Sequence, residues 1–305
     1  MSVDAATQIG TVTLPAPILT ASGTAGHGAE LGHYFDLGKI GAVVVKSLSA
    51  DPWEGNPAPR VHPVGDGMLN SVGLQNPGVD AWLRDELPPL LATGARVVAS
   101  IWGFTLEQYE AAARALASAP DGVVAVEVNL SCPNIERRRD MFAHDPELTR
   151  AAMQVAAAAG RPRWAKLSPN VTDIVEIAAA AVDGGADALT LVNTVMGLSI
   201  DIDRRIPSLG AGGGGFSGPP VHPVAVRAVW DVSHEMPTVP IIGVGGVSRG
   251  RDAVELMMAG ASAVGVGTAT FHDPRAPERV QRELLKWCAE RGLRSVGELR
   301  GAAHA

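Results

Sequence analysis

Apolar residues alternate between two patterns along the chain. Short runs rich in valine, isoleucine, leucine and alanine occupy residues 17–20, 42–46, 96–101, 125–130, 163–167, 188–192, 240–244 and 262–266. Most are apolar at successive positions, as expected of parallel strands buried on both faces. Segments with helical spacing lie between them, over 106–118, 146–159, 173–183 and 251–259. Thr105 and Gln108 have the spacing of a capping box, and Gly184 and Gly260 stand where helices terminate. Eight strands alternating with helices predict an α/β fold, a (β/α)8 TIM barrel, with residues 1–305 as one domain. A doubly wound open sheet is the alternative, but it more often has fewer strands. The stretches from Lys46 to Arg96 and from Val192 to Pro240 are much longer than the other connections. Rim insertions are therefore expected after strands 2 and 6, at the end where such barrels build active sites. Residues 9–14 predict a small hairpin plugging the barrel floor, and the tail from Gly301 is expected to fray.

Composition narrows the function. With 46% hydrophobic and 19% charged residues the chain is not disordered. Lys+Arg 25 against Asp+Glu 32 leaves a net charge of −7, and only Arg137, Arg138 and Arg139 form a dense basic spot. Nucleic acid is therefore not an expected partner. Two cysteines, Cys132 and Cys288, are too few for a disulfide framework and suit a reducing, cytoplasmic setting. No secretory leader and no membrane span are read. Eight scattered histidines give no metal-binding pattern, so no metal is expected.

Glycine is over-represented, at 35 residues, and many glycines sit with polar residues where strands end. Ser22-Gly23 follows the first strand and Lys46-Ser47 ends the second. Asn129-Leu130-Ser131-Cys132-Pro133-Asn134 ends the fourth. Lys166 ends the fifth ahead of Ser168-Pro169-Asn170, and Asn193-Thr194 ends the sixth. Gly245-Gly246 and Gly267-Thr268 end the last two. Glycine turns after strands seven and eight predict a phosphate site, where backbone amides can approach an anion closely. Gly210-Ala211-Gly212-Gly213-Gly214-Gly215 lacks the Lys-Ser/Thr ending of a P-loop and reads as a flexible part of the second insertion.

Cys132 is the candidate for chemistry, because a thiolate at a strand end can serve as a general base; Cys288 reads as structural. Asn70, Asn129, Asn134 and Asn193 each offer a donor and an acceptor, so together they could read a flat heterocycle. Lys46 and Lys166 end apolar strands, where an ammonium requires an anionic partner.

These residues resemble the FMN-dependent class 1 dihydroorotate dehydrogenases over nearly the whole chain. The resemblance rests on residues 129–134, on Gly67-Met68-Leu69-Asn70-Ser71-Val72-Gly73-Leu74-Gln75-Asn76-Pro77-Gly78, on Gly55-Asn56-Pro57-Ala58-Pro59-Arg60, and on Ser217-Gly218-Pro219. Cysteine at 132 is similar to class 1, and residues 55–78 to the NAD-linked branch. The family implies oxidation of dihydroorotate with Cys132 as base and Lys166 steadying the reduced flavin. It implies substrate contacts from Lys46, Asn70, Ser71, Val72, Gly73, Leu74, Asn129, Asn134, Asn193 and Thr194. It implies FMN contacts from Ser22, Lys46, Ser47, Ser100, Asn129, Lys166, Val192, Gly218, Gly245, Gly246, Gly267 and Thr268. A homodimer and a second subunit carrying FAD and an iron–sulfur cluster are the implied partners. The chain departs from the family at Ser100, where asparagine is usual, at Trp102, where a small residue is usual, and at residues 135–140, in place of a glycine-containing lid. Another dihydropyrimidine or related enone as substrate, or a flavin-binding scaffold without activity, are the alternative readings.

Overall fold

The structure, a computed structural model, describes residues 3–131 and 141–304. Each of the eight apolar runs contains a strand: β1 (Ile18–Thr20), β2 (Val43–Val44), β3 (Val97–Ile101), β4 (Val123–Asn129), β5 (Arg163–Lys166), β6 (Ala188–Leu191), β7 (Ile241–Val244) and β8 (Ala263–Val266). From β2 to β8 each strand pairs in parallel with the next. The strand β8 pairs with β1. Between β1 and β2 the ring is closed by the Leu19–Ala42 bridge, with Thr20 N donating to Ala42 O at 3.2 Å. The sheet is thus a (β/α)8 barrel.

Period-2 alternation along each strand separates two apolar layers. Val97, Ala99 and Ile101 of β3 pack outward under the helices, whereas Val98 points into the barrel. The interior layer holds Leu19, Val44, Val98, Ala125, Trp164, Ala188, Ile242 and Ala263. A hairpin of Thr7–Ile9 with Val12–Leu14 adds Ile9, Val12 and Leu14 to that layer and plugs the floor. Removing such a side chain from water contributes about 1.5–3 kcal/mol, so the plug is a substantial part of the interior.

The helix Leu106–Leu116 starts at Thr105, whose hydroxyl accepts from Gln108 N at 3.3 Å. The Gln108 side chain reaches back one residue further than in a capping box, accepting from Phe104 N at 2.7 Å. Gly184 ends the helix Ile174–Asp183 in the right-handed region, and the left-handed residue is Gly185, at φ +91°.

Both long connections leave the C-terminal rim, and four of their strands form one sheet, while Ile200–Asp201 and Ile206–Pro207 of the second pair separately. Val61–Val64 pairs with Gly67–Asn70, which pairs with Gly214–Ser217, which pairs with Val195–Gly197. This corrects the flexible reading of the glycine run, because Gly214 and Gly215 are buried strand residues. A Cβ on Gly214 would strike Asn70 O, and one on Gly215 would strike Thr194 Oγ1, so glycine is what lets these chains approach.

The expectation of a frayed tail is also corrected. Gly301 N donates to Met257 O at 3.0 Å and Ala303 N to Met258 O at 3.1 Å, and His304 Nε2 meets Ala259 O at 2.9 Å. The tail adds donors to carbonyls at the end of helix Gly250–Met258, where Met257 O also accepts from Gly260 N at 3.0 Å. The His304 ring also stacks on Trp230 at 3.9 Å between centroids.

Candidate active site

Two residues above the apolar interior layer the inward positions become polar at β2 to β6, while Ala21, just after β1, and Val244 of β7 continue the apolar layer. Val44 is followed by Lys46, Val98 by Ser100, Ala125 by Glu127 and then Asn129, Trp164 by Lys166, and Ala188 by Thr190. Above them opens a cavity of about 680 Å³, within the size range of small-molecule sites.

The cavity is lined by Lys46, Asn70, Ser71, Val72, Gly73, Leu74, Asn129, Lys166, Asn193 and Thr194, together with Ser22, Ser47, Val192, Gly218, Gly245, Gly246, Gly267 and Thr268. Ser100 departs from the expectation. It is fully buried behind Ser47 and does not line the cavity, because it points into the layer beneath. Cys132 and Asn134 lie outside the described residues, as do Arg137, Arg138 and Arg139.

Polar side chains form a continuous floor across five strands. Ser22 and Ser47 hydroxyls lie 3.2 Å apart, and those of Ser47 and Ser100 2.9 Å apart. Ser100 Oγ donates to Glu127 Oε1 at 3.1 Å, and Lys166 Nζ stands 3.8 Å from the same oxygen. Asn129 is the hub above this chain. Its Nδ2 donates to Ser47 Oγ at 3.1 Å, and its Oδ1 accepts from Asn193 Nδ2 at 3.2 Å and Ser131 N at 3.3 Å. These bonds fix which amide face Asn129 and Asn193 present. Asn170 Nδ2 donates to Ser168 Oγ at 2.8 Å and to Thr194 O at 3.0 Å, tying the ends of β5 and β6 together.

The insertions provide the upper wall. Asn70 Nδ2 donates to Gly215 O at 3.2 Å, and Asn56 Nδ2 to Ser71 Oγ at 2.9 Å. Trp53 Nε1 donates to Gly73 O at 3.0 Å, and Leu74 adopts a left-handed φ of +67°. Trp53, Trp102 and Phe104 pack edge to face, with centroids 4.7–6.1 Å apart. Trp102 is buried beneath this segment, outside the cavity lining.

The rim glycines answer to neighbouring protein as much as to the cavity. A Cβ on Gly245 would lie 2.5 Å from Ala225 Cβ, and one on Gly246, at φ +67°, 2.6 Å from His222 Cβ. Both neighbours belong to the helix His222–Glu235, which presses on the turn while His222 Nδ1 donates to Gly245 O at 2.8 Å. The local requirement for glycine is helix-to-turn packing, with the turn itself left lining the cavity.

Electrostatically the site carries two lysines. Lys166 is buried, and among the described residues its polar contact is the 3.8 Å approach to Glu127. Its N–H groups therefore retain capacity for an acceptor in the cavity. Burial and then the nearby Lys46 ammonium lower the His27 pKa to about 4, against an opposing pull from Glu30, so this ring is neutral near pH 7. The two glycine turns, Ser248, Thr268 and Arg279 line the same cavity. This donor set fits a flat, electron-rich ligand bearing a phosphate.

Glu127, Ser168 and Asn170 belong to this network and were absent from the expected site residues. Glu127 had a signal: an acidic residue inside an otherwise apolar strand. Among the described residues no group of three or more His, Cys, Asp or Glu could hold a metal, and no helix is long and apolar enough to cross a membrane.

Comparison with known proteins places these features in company. The family model described as "Dihydroorotate dehydrogenase" matches residues 4–287. The chain is 48% identical over 305 residues to the dihydroorotate dehydrogenase B (NAD(+)) catalytic subunit of Desulforudis audaxviator (strain MP104C), covering 100% of this chain and 99% of that protein. It is 46% identical over 301 residues to the catalytic subunit of the same name from Geobacter sp. (strain M21), covering 98% of each. Over 299 residues it is 46% identical to the one from Alkaliphilus metalliredigens (strain QYMF), covering 97% of each.

Proposed function

The chain belongs to the dihydroorotate dehydrogenase family, and from that premise we propose that it is the catalytic subunit of an NAD-linked, FMN-dependent enzyme oxidising dihydroorotate to orotate in pyrimidine synthesis. In this reading residues 1–305 act as one FMN-binding barrel domain. The observation that carries the reading is the convergence of two lysines, three asparagines and two glycine turns from separate strand ends on one cavity.

Ser22, Ser47, Val192, Gly218, Gly245, Gly246, Gly267 and Thr268 would hold FMN, with Ser100 acting from behind Ser47. The incompletely hydrogen-bonded Lys166 is the strongest point of fit. The chemistry FMN supplies when bound is acceptance of a hydride from C6 of the substrate. Lys46 opposes the substrate carboxylate, while Asn70, Asn129, Asn134, Asn193, Thr194 and residues 71–74 match its ring amides. Cys132, on the segment leaving β4, removes the C5 proton as general base. Lys166 balances negative charge as it develops, and the insertion sheet excludes water from the rim.

Two cysteines cannot ligate an iron–sulfur cluster, so NAD reduction requires a partner subunit carrying FAD and that cluster. A homodimer is supported by the exposed apolar residues Met196, Leu198, Ile200 and Ile202 on the second insertion. The cytoplasm is the compartment this assembly suits.

Anaerobic titration tests the reading. The purified protein is expected to be yellow and to bleach with dihydroorotate. Bleaching by dihydrouracil but not by dihydroorotate would move the substrate assignment, and a protein unable to bind FMN would end it. Flavin reduction at the normal rate by a Cys132→Ala variant would remove the assigned base. A screen of NAD, fumarate and quinone as reoxidants, with and without the partner subunit, identifies the acceptor.

A further inference from the structure

Glu127 is a buried carboxylate that the proposed mechanism leaves without a role. It sits one step below Asn129 on the inward face of β4, in register with Ser100 of β3 and Trp164 of β5. It is 2% exposed and does not line the cavity. One hydrogen bond from Ser100, at 3.1 Å, and the Lys166 ammonium at 3.8 Å are its contacts among the described residues. A carboxylate this deep requires a compensating cation, and Lys166 is the one within reach.

We infer that Glu127 is a positioning residue for Lys166, holding its ammonium at the cavity floor and setting the charge it presents to a bound flavin. The inference rests on the FMN reading above. The Lys166 ammonium and the Glu127 carboxylate, 3.8 Å apart, form a pair that is neutral as a unit. Without the carboxylate, the Lys166 ammonium adds one uncompensated positive charge at the cavity floor. The other groups of this layer are the uncharged Ser100 on β3 and Thr190 on β6. Lys46 follows β2, the strand beyond Ser100, with His27 near it.

The test is the reduction potential of the FMN-loaded full-length protein measured from pH 6 to pH 9. Glu127→Gln keeps the shape and the acceptor for Ser100. Its potential is expected to shift upward, because positive charge favours the electron-rich reduced flavin. In a Lys166→Gln background the same change should produce a much smaller shift. Should Glu127→Gln fail to fold, Glu127→Asp draws the carboxylate back and should give a smaller upward shift. A folded, yellow Glu127→Gln with the parent's potential at every pH overturns the inference, as does an equal shift in the Lys166→Gln background. A parent protein that takes up no FMN overturns the FMN reading itself, and the inference with it.

Discussion

Gly246→Ala separates the geometric demands on the turn after β7. Gly246 has a φ of +67°, and an added Cβ would meet His222 Cβ at 2.6 Å, His222 N at 2.8 Å and His222 Cα at 2.9 Å. Two costs follow. The left-handed backbone costs an alanine about 1–2 kcal/mol. The collision adds an overpacking cost of about 1–3 kcal/mol, because two of the three atoms met are backbone and cannot rotate away. Gly94→Ala is the matched control, since its φ is +78° but nothing lies within 4 Å of the added Cβ. Gly94→Ala should therefore lose only about 1–2 kcal/mol, and Gly246→Ala about 2–5 kcal/mol, in urea unfolding of the flavin-free proteins. The same displacement moves a turn that lines the cavity, so FMN affinity, read by quenching of flavin fluorescence, should fall about tenfold or more in Gly246→Ala, a loss of about 1.4 kcal/mol. Gly94→Ala should bind FMN like the parent. Equal destabilisation of the two variants with unchanged FMN affinity would refute the packing account of this turn.

Other perturbations probe different parts of the molecule. In the proposed mechanism Lys166 balances developing charge, so Lys166→Met should slow anaerobic flavin reduction by about 10²–10³-fold in stopped-flow absorbance, while FMN stays bound. Trp164→Ala empties the centre of the barrel interior and should cost about 3–5 kcal/mol in chemical unfolding, with Trp164→Phe much milder. His27 has its pKa lowered to about 4 by burial and by Lys46, so the unfolded chain binds more protons than the folded one between that value and the ordinary 6.5. Stability from this group is complete above pH 6.5 and is lost as the pH falls toward 4. Melting temperature should therefore fall more steeply over that window in the parent than in His27→Gln.

Much of the barrel and its rim was legible from local pattern. The eight apolar runs, the hairpin ahead of them and the two long connections are features of periodicity and spacing, and each matches an observed element. The polar strand ends were legible for the same reason, since period-2 alternation above an interior layer forces Lys46, Asn129 and Lys166 toward one opening. Ser100 shows the limit of that reasoning: its direction was correct, but its depth placed it behind Ser47. Lys46, Asn129, Lys166, Asn193 and Thr194 line the cavity because strand ends are where the fold directs them, and Cys132 and Asn134 lie outside the described residues.

The sequence by itself determined the strand count, the rim where polar residues gather and the residue types available there, because these follow from periodicities a few residues long. Tertiary structure alone decided which distant groups meet. Gly215 pairs on one side with Asn70, far earlier in the chain, and on the other with Met196, while Gly214 pairs with Gly197. The rim glycines are required by a helix packed across the turn, and the tail is held by the last carbonyls of Gly250–Met258. Glu127 became the partner of Lys166 only when β4 was set beside β5. Each of these depends on contacts between segments remote in sequence, and a local pattern contains no term for them.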